Sequence, residues 1–128
     1  MKKILILGGG FAGIYTAKNL QKQRLENCEV ELISDNNYFI FQPLLPEVAS
    51  GTIYSSDAVT PIRQMLKGIK YRNAEISGLD FDNKKISILQ GFKKSTHSIS
   101  YDHLVIALGQ VSNLDIVKGL KDHAFTMR

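Results

Sequence analysis

Tryptophan is absent, and Cys28 is the only cysteine among the 128 residues. One cysteine excludes an internal disulfide framework and any four-cysteine zinc site. Three histidines, His97, His103 and His123, stand far apart with no ligand-like spacing, so no metal centre is expected. No apolar run approaches the ~20 residues that a bilayer-spanning helix needs. The start, MKKILILGGG, has the lysines and apolar run of a secretory signal. Only Ile4 to Leu7 precede the glycines, however, short of the ~7–15 residues of a signal core. A cytoplasmic location is the expectation. Neither a Pro/Gly/Ser-rich linker nor an internal repeat divides the chain, so one domain is expected over residues 1–128.

Charge of one sign is also modest. Sixteen Lys and Arg stand against twelve Asp and Glu, a net charge of +4. That suits an anionic group such as a phosphate and falls far short of a nucleic-acid signature. The pairs Lys84-Lys85 and Lys93-Lys94 flank turns, where lysines are solvated, and no nucleic-acid partner is expected. Apolar residues at 44% and charged residues at 22% are ordinary for a globular domain. A chain of this size buries roughly two thirds of its unfolded surface, enough for a core without staples.

What is present is patterned. Ile4-Leu5-Ile6-Leu7 is continuously apolar and ended by glycines, as a strand buried on both faces of a parallel sheet must be. A helical stretch follows to about Leu25, with Ile14, Ala17, Leu20 and Leu25 on one face and Lys18, Gln21, Lys22 and Arg24 on the other. Val30 to Ile33 reads as a second buried strand. Together these predict a right-handed β-α-β unit with parallel strands.

Ser34 to Ser56 is irregular and holds the aromatics Tyr38, Phe39 and Phe41, expected to pack. Thr60-Pro61 reads as an N-cap and first helical residue, with Ile62, Met65 and Leu66 inward and Gly68 closing the helix. The period then changes to two. Ala74 to Phe81, Ile86 to Ile88 and His97 to Tyr101 predict three antiparallel strands. Leu104 to Leu108 is again continuously apolar and ends at Gly109, a return to the buried sheet. The fold class is α/β, a Rossmann-like parallel sheet with a three-stranded antiparallel meander.

The glycine loop carries the chemistry. Gly8-x-Gly10-x-x-Gly13 lies between strand and helix, the context that gives this pattern meaning. Gly8 permits the tight turn, Gly10 lets the backbone approach a pyrophosphate, and Gly13 allows close helix–strand packing. The helix start then offers amides and the positive dipole end to phosphates. Such sites also want a carboxylate at the end of the second strand for a ribose hydroxyl. Asp35 lies 22 residues past Gly13, against an expected ~20; a one-residue change of register would put Ser34 there instead. Glu31, inside the strand, points elsewhere. The antiparallel excursion before the sheet resumes favours FAD over NAD as the dinucleotide.

The segments ILILGGGFAG, NNYFIFQPLLPEVASGTI, AEISGLD and YDHLVIALGQVSN resemble the N-terminal FAD domain of type II NADH dehydrogenases. These are flavoproteins of the pyridine nucleotide–disulfide oxidoreductase superfamily. FQPLLPEVASG is the more specific segment. The resemblance implies FAD as cofactor, with Gly8, Gly10, Phe11, Ala12 and Gly13 at its pyrophosphate and Ser34 and Asp35 at the adenosine ribose. The family usually has an acid where Ser34 stands and a basic residue where Asp35 stands. Ile76 is implied to meet the adenine through its backbone. Gln42, Pro43 and Leu44 would approach the flavin ring, with Ala107, Leu108 and Gly109 beneath the ribityl chain.

The resemblance further implies that NADH passes hydride to the flavin and that two electrons pass on to a quinone. No side chain need act as nucleophile, and no catalytic residue is named. Family members carry a second glycine-rich unit for NADH and a C-terminal region that attaches to the membrane. With no second G-x-G-x-x-G here, the chain reads as an N-terminal fragment, inactive alone. Peripheral membrane attachment and a homodimer are admitted for the longer protein. Disulfide reductases of the superfamily carry a cysteine pair after the second strand, where this chain has none, so thiol–disulfide chemistry is excluded. A sulfide:quinone reductase and a nucleotide-binding module without redox activity stay open as alternatives.

Overall fold

The computed structural model describes residues 1–127. The apolar run at the start forms β1 (Lys2–Leu7), which leads through the glycines into α1 (Phe11–Gln23) and on to β2 (Cys28–Ser34). α1 stops before the expected Leu25, because Arg24 adopts a left-handed conformation at φ 47° and its N–H turns back to the Gln21 carbonyl. β1 and β2 pair in parallel from Lys2 opposite Cys28 to Leu7 opposite Ile33. The predicted β-α-β unit is therefore present.

The irregular stretch is more ordered than its sequence suggests. It holds β3 (Tyr38–Ile40), a 3-10 turn at Gln42–Leu44, α2 (Leu45–Ala49), a second 3-10 turn at Ser55–Ala58, and β4 (Val59–Pro61). The predicted helix start at Thr60-Pro61 is a correction. Both residues belong to β4, where they pair antiparallel with Phe39 and Tyr38. α3 (Ile62–Met65) consequently begins later and makes only one turn, the Ile62 N–H being taken by the Asn37 carbonyl at 3.0 Å. Phe39 is buried as expected, whereas Tyr38 and Phe41 remain exposed.

β5 (Lys70–Asn73) follows, a strand that periodicity does not reveal. Then come the meander strands β6 (Glu75–Asp80), β7 (Lys85–Gln90) and β8 (Ser95–Ser100), the returning strand β9 (His103–Ile106), and α4 (Leu120–His123). The parallel sheet runs β5-β2-β1-β9, and the meander is a separate three-stranded sheet. Adjacent residues of the central strands feed opposite faces. Ile6 and Leu32 meet Ile14, Ala17, Phe39 and Ile62 on the helical side, while Leu5, Leu7 and Ile33 meet Ile86, Ile88 and Ile99 of the meander. Burial on both faces is why β1 lacks polar alternation.

One charge interrupts the meander face. Glu31 is fully buried, with Oε2 2.9 Å from Lys3 Nζ and Oε1 accepting from Arg72 Nε at 2.6 Å. Arg72 Nη1 also donates to Gln90 Oε1 at 3.1 Å, so one cluster ties β1, β2 and β5 to the meander. Burial pushes the Glu31 carboxyl up, but the hydrogen bonds and charges of Lys3 and Arg72 outweigh it and hold it below its ordinary value. The group therefore stabilises the fold above the unfolded glutamate pKa of about 4.3, and that contribution is lost as pH falls through the lower folded value. Glu31→Gln is expected to destabilise by about 2–3 kcal/mol at pH 7, because two cations lose their counter-charge. Urea unfolding across pH should show the gap between the two proteins closing below pH about 4.

Candidate functional site

All four parallel strands end on the same side of the sheet, and the β1–α1 turn lies over that end. Gly8 sits at φ +107°, a conformation that L side chains rarely adopt, and its N–H donates to the Ile33 carbonyl at 2.8 Å. A Cβ on Gly8 would collide with the Ala107 carbonyl, and one on Gly13 with the Gly8 carbonyl oxygen. These two glycines are required by packing inside the protein. Gly10 differs: a Cβ there would meet nothing within 4 Å. The space over Gly10 is open to a ligand.

α1 starts at this spot uncapped. Its N-cap is Gly10, no side chain accepts from its first amides, and no acid lies in its first turn. The opening amides of a helix have no intrahelical acceptor, and the dipole adds partial positive charge there. Thirteen aligned peptides thus aim at the cleft. That cleft has a volume of about 1090 Å³, at the top of the range for small-molecule sites and ample for a dinucleotide.

The structure brings most of the predicted site residues to the cleft wall. Gly8, Gly10, Phe11 and Ala12 line it from the turn, and Ser34 and Asp35 from the end of β2. Gln42 and Pro43 line a second side, Ile76 a third, and Ala107, Leu108 and Gly109 the segment beyond β9. Two predicted residues are not on the wall. Gly13 packs against the Gly8 carbonyl, and Leu44 gives way to its neighbours Leu45 and Pro46.

Sequence reasoning missed several others. Gly9 lines the cleft and is itself confined, since a Cβ would lie 2.7 Å from Ile62 Cδ1 and 2.8 Å from Ser34 Oγ. The run of three glycines could have signalled it. Asn36, Glu75 and Gln110 also reach the wall, each beside a residue that was found, and so does Tyr38, which has no such neighbour. No lysine or arginine among the described residues lines the cleft. The excess positive charge lies elsewhere, and the hold on an anion falls to backbone amides.

The family model for pyridine nucleotide-disulphide oxidoreductases matches residues 2–128. The chain belongs to that family. It is also 38% identical over 127 residues to the type II NADH:quinone oxidoreductase of Staphylococcus aureus, covering 97% of this chain and 30% of that protein. Among solved structures it is similar to NDH2 from Plasmodium falciparum in complex with NADH, at a TM-score of 0.87 and 30% identity over 99% of this chain and 26% of that one. The sulfide:quinone oxidoreductase of Aquifex aeolicus is similar at 0.79 and 28% identity, over 95% of this chain and 27% of the other. The chain thus spans less than a third of the curated relatives it matches. The α/β fold, parallel sheet with meander, agrees with the NDH2 likeness.

In this family member, the two kinds of glycine should separate cleanly by experiment. Gly13→Ala forces a Cβ into the Gly8 carbonyl and should cost about 3 kcal/mol of stability. Gly10→Ala, pointing into open space, should stay within about 1 kcal/mol of the parent. Thermal unfolding of both variants checks the contrast.

Proposed function

We propose that residues 1–128 form the N-terminal FAD-binding domain of an NADH dehydrogenase that passes electrons from NADH through FAD to a quinone. The observation that carries this reading is the uncapped start of α1 beneath the open space at Gly10, in a cleft large enough for a dinucleotide. The similarity to type II NADH:quinone oxidoreductase supports the electron donor and acceptor. FAD is favoured over NAD here because an antiparallel meander precedes the return to the sheet at β9.

When bound, the flavin supplies the two-electron redox chemistry. This chain's residues bind and orient. The amides from Gly10 to Ala12 would hold the diphosphate, with Gly8 and Gly13 acting through the turn they permit, since the Gly8 N–H is already bonded to the Ile33 carbonyl. Asp35, beside Ser34, takes a hydroxyl of the adenosine ribose. Ile76 would meet the adenine, Gln42 and Pro43, next to Leu44, would face the flavin ring, and Ala107 to Gly109 would run under the ribityl chain. No residue of this chain serves as nucleophile.

NADH and quinone would be held by chain beyond this domain, as would attachment to the inner face of the membrane. None of the helices among the described residues is long and apolar enough to cross a bilayer. The sulfide:quinone alternative is the weaker one, since the curated relatives at 38% identity are NADH enzymes. A redox-silent nucleotide module is weaker for the same reason.

Gly10→Val tests the site directly. Its branched side chain would fill the open space at Gly10 and displace a pyrophosphate. The full-length protein should lose its bound flavin absorbance, and with it NADH-dependent quinone reduction, while its circular dichroism stays unchanged. A variant that stays yellow would overturn the assignment, and sulfide-driven rather than NADH-driven reduction would select the sulfide enzyme.

A further inference from the structure

The turn that follows β2 is pinned from the neighbouring strand. Asn73, the last residue of β5, stands opposite Ser34 in the parallel register. Its Nδ2 donates to the Ser34 carbonyl at 3.1 Å and to the Asp35 carbonyl at 2.8 Å. The same nitrogen lies 3.2 Å from Tyr71 Oη, and the Tyr71 hydroxyl donates to the Asn36 carbonyl at 2.9 Å. Two side chains of one strand therefore hold three consecutive carbonyls, those of Ser34, Asp35 and Asn36. The Arg63 guanidinium stacks over the Tyr71 ring, 5.6 Å from its centroid, and fixes that side chain in turn.

The side chains within the turn divide the work. Ser34 is buried, and its Oγ accepts from the Asn36 N–H at 3.4 Å beneath Gly9. Asp35 is exposed on the cleft wall, and its Oδ1 accepts from Asn36 Nδ2 at 3.2 Å and from Ser34 Oγ at 3.5 Å. Among the described residues Oδ2 of Asp35 has no hydrogen-bond partner in the chain. The acid beyond the strand end is thus held at the cleft wall through its backbone carbonyl and through the two contacts on Oδ1, which leave Oδ2 open.

We infer that Asn73, assisted by Tyr71, is a positioning residue that presents Asp35 to a ribose hydroxyl at the adenosine end of the cleft. This rests on the proposed dinucleotide site. Asn73 touches no ligand on this account. Its role is to hold the Asp35 carbonyl, together with that of Ser34 which the Ala74 N–H also takes, while Tyr71 holds that of Asn36, so that the carboxylate is preorganised.

The test is binding of ADP and of 2′-deoxy-ADP to the full-length apoprotein by calorimetry. The parent should prefer ADP by about 10-fold, the worth of one hydrogen bond to a charged group. Asp35→Ala should abolish that preference, and Asn73→Ala should bring it near one without touching Asp35. The double variant should be no worse than either single one, because both remove the same contact. Asn73→Asp keeps the shape but has no N–H to donate, so it should reproduce the loss. Tyr71→Phe should reproduce part of it.

A general weakening of both nucleotides in Asn73→Ala, with the ADP preference kept, would overturn the positioning role. Additive losses in the double variant would do the same. A parent that binds both nucleotides equally would remove the Asp35 contact and this inference, but not the flavin reading. A parent that binds neither ADP nor FAD would remove both.

Discussion

The main chain of Gly8 is wedged between Gly13 and Ala107 with no room for a side chain on either glycine. The contact joins three parts of the molecule at once: the end of β1, the first turn of α1 and the segment leaving β9. It is reinforced by backbone bonds from the Gly8 N–H to Ile33 and from the Ala107 N–H to Leu7, at 2.8 Å each. Strand ends that would otherwise fan apart under sheet twist are drawn together under one helix terminus. The cleft exists because polypeptide meets polypeptide at that point. Every later feature of the site is spaced from it.

Polarity is distributed accordingly. The central strands are apolar over residues 4–7 and 30–33 because both faces are covered there, by α1 on one side and the meander on the other. Polar function is therefore pushed to their ends. Glu31 is the exception, and its cost is met by cations from both neighbouring strands, Lys3 and Arg72. The bond from Arg72 to Gln90 carries that cluster into the meander. β5 thus serves twice: Arg72 secures the meander, while Tyr71 and Asn73 secure the turn beside the cleft.

That double service explains what the sequence could and could not disclose. β1, α1 and β2 announce themselves because burial on two faces or on one stripe leaves a regular apolar pattern. The meander does so through alternation. Lys-Tyr-Arg-Asn, by contrast, shows no hydrophobic period, because β5 is an edge strand whose side chains make ion pairs and hydrogen bonds, with only Tyr71 packing against the core. Thr60-Pro61 misleads for a different reason. Its local chemistry suits a helix start, but pairing with Tyr38 and Phe39 claims both residues for a strand. Local propensity loses wherever a non-local partner supplies more contacts. Of the site, the glycine spacing was plain, whereas Glu75 and Gln110 reach the cleft only through the tertiary arrangement of distant segments.

Electrostatics gives the cleft a direction. At one end, amides and the dipole of α1 favour negative charge without any basic side chain on the wall. At another, Asp35 and Glu75 contribute carboxylates to the lining, and only Glu75 is paired, with Lys94 at 2.9 Å. On the proposed assignment a diphosphate would be accepted at the first position and repelled near the second. Sites that take a phosphorylated ribose have an arginine nearby to hold that phosphate, and no arginine lines this cleft among the described residues. On the proposed assignment the cleft therefore selects a dinucleotide whose adenosine ribose is unphosphorylated, as in FAD. On that assignment the glycines and the aspartate that would admit the cofactor would also exclude its nearest charged competitor.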